Sequence, residues 1–555
     1  MKKRILGLVL SIIMLISTVA IFSSCKGTEQ STETTDTEKP LPKVSYTVTM
    51  QRFNIEILEL TVAYMEETML EHGWIKAADA DTAEPSTVTE KKEILVGTTE
   101  REESNAAIEE LKTQSDLPEE SFMIKLSADK VVIVGSNVKY TALGVKYFTE
   151  EIVAKKEANS IMSEDKTVIE NPGKILQIVN GVGAVVLEYT TDIYVPKASS
   201  STEQCTYAKI IRLEHNGDNN GTLLATRETE KSGKSVNPIY KSTDDGLTWT
   251  KVVEVKDNKN SGANLMYQPY LFELPADVGE YKEGTILMAG CTVLTSNRTI
   301  MALHVSTDCG ATWTTVDNIA IGGIGGPAGP NSNGYWEPVL MYEEETGRIF
   351  CFYSDETDRA HSQKLVYRHT TDLKNWSDAY EAVASENADW RPGMAAITKM
   401  GNGKYALVFE YAGRKKYDYE YPYVHIKIGN ALDDWGDPAD DGKLLKSDKN
   451  LWLGAGPSIG WTPNGGPNGA LFVTGQNNYP YTADRKNDLF MSFDYGETWV
   501  SINNPIEMHH NSDVRCGYSS GMFISSDGNL YYVNDPERER GGKCEKLTFA
   551  KIKIY

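Results

Sequence analysis

Two glutamates stand a repeat length apart in this chain, each in an apolar or aromatic context: Glu337 in NGYWEPVLMY and Glu410 in KYALVFEYAG. Two carboxyl groups converging on one pocket are the minimum equipment for breaking a glycosidic bond, one as acid/base and one as nucleophile or base. Glu337 lies between Trp336 and Pro338, an apolar setting that raises a carboxyl pKa. Arg391 falls opposite Glu410 in the same hairpin, where a guanidinium would keep a carboxylate ionised. On these grounds Glu337 is the expected general acid/base and Glu410 the expected nucleophile. The reverse assignment stays open.

The elements that must bring them together follow from a repeat. STDDGLTW (242–249), STDCGATW (306–313) and SFDYGETW (492–499) share the Asp-box pattern S-x-D-x-G-x-T-W, and TTDLKNW (370–376) and NALDDW (430–435) are degenerate copies. The closing residues Trp249, Trp313, Trp376, Trp435 and Trp499 are separated by 64, 63, 59 and 64 residues. A period of this length filled with short β runs and Gly/Asn/Asp turns is a propeller blade, and residues 176–555 accommodate six. The fold class expected is therefore an all-β six-bladed propeller preceded by a small α/β domain. The boxes themselves are structural: Asp and Ser/Thr satisfy turn amides, Gly takes a backbone conformation other residues resist, and Trp packs. Asp244, Asp308 and Asp494 are accordingly assigned no chemistry and no metal.

Six hairpins align independently of the boxes, beginning at residues 206, 267, 335, 391, 458 and 515. In an antiparallel hairpin the start of the first strand lies beside the end of the second. Those ends form a rim around the central channel. They bring Lys209, Arg227, Glu228, Gln268, Glu337, Tyr353, Asp355, Arg391, Glu410, Arg515, Tyr518 and Asp535 to one face. Rim aromatics, including Trp336, Tyr353, Trp390, Tyr479 and Tyr481, are candidates for stacking on sugar faces.

Upstream, MKKR followed by an apolar stretch from Ile5 to Phe22 and then Ser23-Ser24-Cys25 has the form of a lipoprotein signal over residues 1–25, with Cys25 the lipidated residue. An uncleaved membrane anchor is the other reading. Either exports the chain to the cell surface and tethers it to a bacterial membrane. Residues 26–43 carry almost no apolar side chains and form a disordered spacer. Residues 44–171 combine helical spacing (Ile55 to Met69; Val138 to Ile152) with short β runs at 93–97, 122–126 and 130–135, a small α/β accessory domain. The composition is that of a soluble globular protein, 40% hydrophobic and 24% charged. The formal net charge of −22 excludes nucleic acid as a partner and fits a neutral glycan. Six cysteines follow Cys25 without a CxxC or Cys/His cluster, so no zinc site is expected. Cys291–Cys309 and Cys516–Cys544 are possible disulfides; buried free thiols are the alternative.

The run YWEPVLMY…RIFCFYSDETDRAHSQKLVYRHTTDLKNW…WRPGMAAITKMGNGKYALVFEY is similar to the exo-α-1,5-L-arabinanases of glycoside hydrolase family 93, through its WEP, YSDE…HSQK, RPGM and FEY pieces. The resemblance spans roughly residues 200–535. It implies a sialidase-like six-bladed propeller that releases arabinobiose from the end of arabinan with retention. The sequence itself suggests no need for a cofactor. The resemblance maps the two catalytic glutamates onto Glu337 and Glu410. It further implies supporting or substrate-binding roles for Trp336, Tyr353, Asp355, Gln363, Arg391, Arg515 and Tyr518. Two other functions fit the fold: an exo-α-sialidase, although Lys209 stands where a sialidase has its first arginine, and a non-catalytic surface glycan-binding lipoprotein.

Overall fold

The computed structural model describes residues 43–555 apart from 53–55, 78–87, 157, 162–164, 180–182, 196–205, 232–233, 325–332, 414–421, 481–487, 509–516, 537, 540–542 and 545. Cys25, Arg515, Tyr481, Cys205 and Cys516 lie outside the described residues. Among the described residues no helix is long and apolar enough to cross a membrane.

Six antiparallel sheets form the six blades of a β-propeller. Their inner strands are Thr206–Arg212, Ala263–Glu273, Tyr335–Glu343, Arg391–Lys399, Ser458–Thr462 and Gly521–Ile524, here blades 1 to 6. Each begins one of the six hairpins expected from sequence. Blade strands are buried on both faces, so they read as runs of Val, Ile, Leu and Phe rather than as a clean alternation. The second strand of blade 3 shows how: Ile349, Cys351 and Tyr353 pack toward blade 2, while Phe350 and Phe352 pack toward blade 4. The apolar core is accordingly divided into packets between neighbouring blades.

The ring is closed through blade 6. Its third strand, Leu547–Ile554, pairs antiparallel with Gly183–Tyr194, from Leu547 opposite Tyr194 to Ile554 opposite Val185. The first and last segments of the propeller thus share one sheet, which removes the open edge a linear array of blades would leave.

The Asp boxes make the turns their composition demands. Ser242 Oγ donates to Asp244 Oδ1 at 2.7 Å and accepts from the Gly246 amide at 2.8 Å. Asp244 accepts from the Thr248 amide and hydroxyl, and Trp249 Nε1 donates to the Gly246 carbonyl at 3.0 Å. The same bonds recur at 306–313 and 492–499. These bonds hold Asp244 ionised, with its pKa lowered to about 2. Gly246 has φ +93°, and a Cβ there would meet the Phe549 ring at 2.3 Å. Gly246→Ala should therefore lower the unfolding free energy by roughly 2–3 kcal/mol in urea titrations. Gly403→Ala, at φ +81° with open space around it, should cost only about 1 kcal/mol. Equal costs would mean that the blade 6 contact does not matter.

The N-terminal region is a six-stranded mixed sheet with helices on both faces. Glu56–Glu71 and Val138–Tyr147 cover one face, with Leu58, Met65 and Val145 against Ile94, Ile124 and Ile133. Glu102–Gln114 covers the other through Ala107 and Leu111. Its packing continues onto Ala184 and Val186 of the closing strand, and Tyr140 Oη donates to the Gly173 carbonyl at 2.8 Å. The Cys291–Cys309 disulfide is not formed: both thiols are free, Cys291 donating to the Tyr335 carbonyl at 2.9 Å.

Candidate active site

A recurrent backbone feature builds the rim. Tyr207, Gln268, Glu337 and Met394, within the inner strands of blades 1 to 4, all have left-handed φ between 52° and 64°. Ala455 and Gly456 ahead of blade 5, and Ser519 ahead of blade 6, do the same. In blades 2, 3 and 4 the pairing register shifts at this point. A left-handed residue in a strand turns its neighbours out of the ladder, so backbone amides and side chains point into the channel instead of at a partner strand. Non-glycine residues adopt this conformation at a cost and keep it where surrounding bonds enforce it.

Glu337 is held by such bonds. Ser354 Oγ donates to its Oε2 at 2.7 Å and the Met394 amide to the same oxygen at 2.9 Å. Tyr207 Oη donates to Oε1 at 3.4 Å. Its own amide donates to Gln268 Oε1 at 2.9 Å. Burial pushes the Glu337 carboxyl up, and the donors from Ser354, Met394 and Tyr207 pull it back. Glu410 lies two residues before the end of the second strand of blade 4, Tyr405–Ala412, and among the described residues its carboxylate accepts one bond, from the Gly456 amide at 2.9 Å. Burial first, and then the Glu337 charge, push it up to about 7. The two carboxyl groups thus feel one another's charge, and both residues are partly exposed.

A small cavity beside Glu337, of about 50 Å³, is lined by Tyr207, Lys209, Gln268, Met394 and Ser519 among others. Lys209 Nζ donates to Ser519 Oγ and to the carbonyls of Ala208 and Ser520. Burial pulls this ammonium down to about 7, against the Glu337 charge. Tyr207 and Tyr518 meet edge-on with ring centroids 5.5 Å apart, and burial and the carboxylates push both phenols well up.

Several expected neighbours are elsewhere. Arg391 is opposite Ala412, not Glu410, whose partner is Gly393. Its guanidinium pairs with Glu356, whose side chain is fully buried, and also donates to Gln363 Oε1 at 2.7 Å and the Ser362 carbonyl at 3.0 Å. The expectation that Arg391 keeps Glu410 ionised is therefore corrected, since burial outweighs its distant charge. Trp336 is 2% exposed and donates to Glu356 Oε2 at 2.8 Å, so its ring offers no stacking face. Gln363 donates to the Pro392 carbonyl at 2.9 Å, and a Cβ on Gly393 would lie 2.2 Å from Gln363 Nε2. Tyr353 is fully buried in the core between blades 2 and 3, accepting from Arg368 Nε at 2.9 Å. Asp355 is used by the amide and hydroxyl of Thr357. Tyr353 and Asp355 thus fall on the wrong face by one residue, and Ser354 between them reaches Glu337. Ser354, Tyr207 and Glu356 received no role from sequence; the strict two-residue period of a strand was the available signal.

Asp358, His361 and Glu381 cluster nearby, but Lys364 Nζ bridges Asp358 and Glu381 at 2.8 Å each and neutralises them. The Arg391–Glu356 pair gives a testable consequence. Arg391→Leu strands a buried carboxylate and should lower unfolding free energy by about 3 kcal/mol, whereas the Arg391→Leu/Glu356→Leu double variant should recover much of it. Additive losses in chemical denaturation would contradict the pairing.

No family model matches the chain, and no curated protein matches it. Solved structures do. A family 93 α-L-arabinofuranosidase of Fusarium graminearum in complex with arabinobiose superposes with a TM-score of 0.56 at 28% identity, over 66% of this chain and 97% of that one. A Penicillium chrysogenum α-L-arabinanase complexed with arabinobiose gives 0.56 at 29% identity, over 66% and 98%. Their similarity covers nearly the whole of those chains and about two thirds of this one. The family resemblance drawn from the WEP-to-FEY run therefore holds at the level of three-dimensional structure.

Proposed function

We propose that this protein is an exo-acting, retaining glycoside hydrolase that releases arabinobiose from α-1,5-linked arabinan. The observation that carries the chemistry is the unequal support of two carboxyl groups close enough to feel one another's charge. Among the described residues Glu337 has three donors to its oxygens, which suits it to remain ionised, and Glu410 has one donor and is pushed up to about 7, which suits it to hold a proton. This reverses the roles expected from sequence. The substrate class is supported by the similarity to two structures that hold arabinobiose.

In the first step Glu337 attacks the anomeric carbon while Glu410 donates its proton to the departing glycosidic oxygen. In the second step Glu410, now a carboxylate, takes a proton from water. That water displaces Glu337 and regenerates both groups. Neither step calls for a cofactor. The sialidase reading is weakened by the arginines, because holding a substrate carboxylate needs guanidinium groups aimed at it. Arg391 is committed to Glu356, and Arg227 is 2% exposed and stacked 4.2 Å from the Tyr194 ring. The lipoprotein-type signal ending at Cys25 supports action at the cell surface on plant-derived oligosaccharides.

Incubation with linear α-1,5-arabinan and chromatography of the products tests this reading. Arabinobiose accumulating from the first time point supports it. Cleavage of a sialoside instead would assign the site to the arginines, and binding of arabinan without turnover would make the protein a glycan receptor.

A further inference from the structure

We propose that Gln268 is a positioning residue that fixes the nucleophile Glu337, and that Glu228 anchors it from the adjacent blade; this rests on the hydrolase reading given above. Gln268 is 7% exposed and sits in the left-handed turn of blade 2 at φ 55°. Its amide and both polar atoms of its side chain are engaged. Its amide donates to Glu228 Oε2 at 3.0 Å. Its Oε1 accepts from the Glu337 amide at 2.9 Å, and its Nε2 donates to Tyr207 Oη at 3.3 Å. Tyr207 in turn donates to Glu337 Oε1. Gln268 therefore grips Glu337 at both ends, directly at the backbone and through Tyr207 at the carboxylate.

The direction of these bonds matters. With Gln268 Nε2 pointing at its oxygen, Tyr207 accepts from Gln268 and has its single proton left for Glu337. The backbone bond holds Glu337 in a left-handed conformation that it would otherwise leave. Glu228 completes the arrangement through a correspondence between blades. Glu228 lies near the end of the second-strand segment of blade 1 that faces the rim, as Glu410 does in blade 4. Each accepts an amide from the left-handed turn of the next blade, Gln268 for Glu228 and Gly456 for Glu410. Glu228 is 7% exposed and holds a positioning residue; Glu410 is partly exposed.

Kinetics of Gln268 and Glu228 variants on an aryl α-arabinobioside, with crystal structures of the variants, test this. Gln268→Leu should lower kcat by about 100-fold with KM within about threefold, the scale of a small misplacement of a reacting group. Glu228→Leu should act in the same direction. Glu228→Gln keeps an acceptor for the Gln268 amide and should recover at least about tenfold of that loss. Gln268→Glu keeps the acceptor for the Glu337 amide but adds a carboxylate, so the acid limb of kcat/KM should move to higher pH, even if Gln268→Leu does not fold. The Gln268→Leu crystal structure should show the Glu337 carboxylate displaced from Ser354 and the Met394 amide. An unmoved Glu337, or kcat within threefold of wild type in Gln268→Leu with an unmoved acid limb in Gln268→Glu, would overturn the proposal. The crystallographic readout needs no substrate. A wild type without arabinosidase activity would count against the hydrolase reading alone, and the position of Glu337 would still decide the inference.

Discussion

Glu337→Ala should lower kcat by about 10⁵-fold on arabinan and on activated aryl arabinosides alike, the scale seen when a covalent nucleophile is removed. The equality between substrates is the diagnostic part. A nucleophile is needed whatever the leaving group, whereas a general acid is needed only when the leaving group is poor. The fold should survive, because Glu337 is a rim residue whose carboxyl is pushed up by burial, so its loss removes a desolvated charge. Retained cooperative unfolding with lost turnover would place the defect in the chemistry. A loss confined to arabinan would assign Glu337 to the acid role instead.

The second large effect is in the pH profile. Glu410 is pushed up to about 7, so its proton is present below that pH and lost above it. An enzyme that needs Glu410 protonated must lose kcat/KM as pH rises through about 7. The acid limb belongs to Glu337, which must lose its proton before it can attack. Glu410→Gln should abolish the basic limb and lower turnover of arabinan by about 10³-fold, with a much smaller loss on an activated aryl glycoside. Lys209 is pulled down to about 7 by burial and titrates in the same window. Lys209→Met separates the two: the basic limb should persist in it. A limb that vanishes in Lys209→Met and survives in Glu410→Gln would transfer the titration to the lysine.

The blade repeat was legible because each Asp box answers a local demand. Ser242, Asp244, Gly246 and Trp249 satisfy one another within eight residues, so their spacing survives in the sequence wherever the turn is needed. The hairpins were legible for the same reason. Ring closure was not, since Gly183–Tyr194 meets Leu547–Ile554 across most of the chain. The helix Glu102–Gln114 also escaped, because it buries little beyond Ala107 and Leu111 and so shows only a weak apolar stripe.

At the site, the closeness of the two glutamates follows from their places in aligned hairpins. Their roles do not. The supports that separate Glu337 from Glu410 come from Ser354, Met394, Tyr207 and Gly456, on four different strands or turns, and two of them are backbone amides that no side-chain pattern encodes. A two-residue register difference moved Arg391 from Glu410 to Glu356. A one-residue difference in facing exchanged Tyr353 and Asp355 for Ser354. Backbone bulges of this kind re-aim side chains next to active sites, and they are set by long-range contacts.

The stereochemistry of azide rescue tests the central assignment most directly. Glu337→Ala and Glu410→Ala would each be supplied with an aryl α-arabinobioside and sodium azide, and the glycosyl azide identified by NMR. If Glu337 is the nucleophile, its variant must give the β-azide by a single inversion, because azide enters the vacated face. The Glu410 variant must give the α-azide, because azide intercepts a covalent Glu337 intermediate that forms without acid help. The opposite pairing would restore the assignment made from sequence alone, and rescue of neither variant would contradict the two-glutamate mechanism.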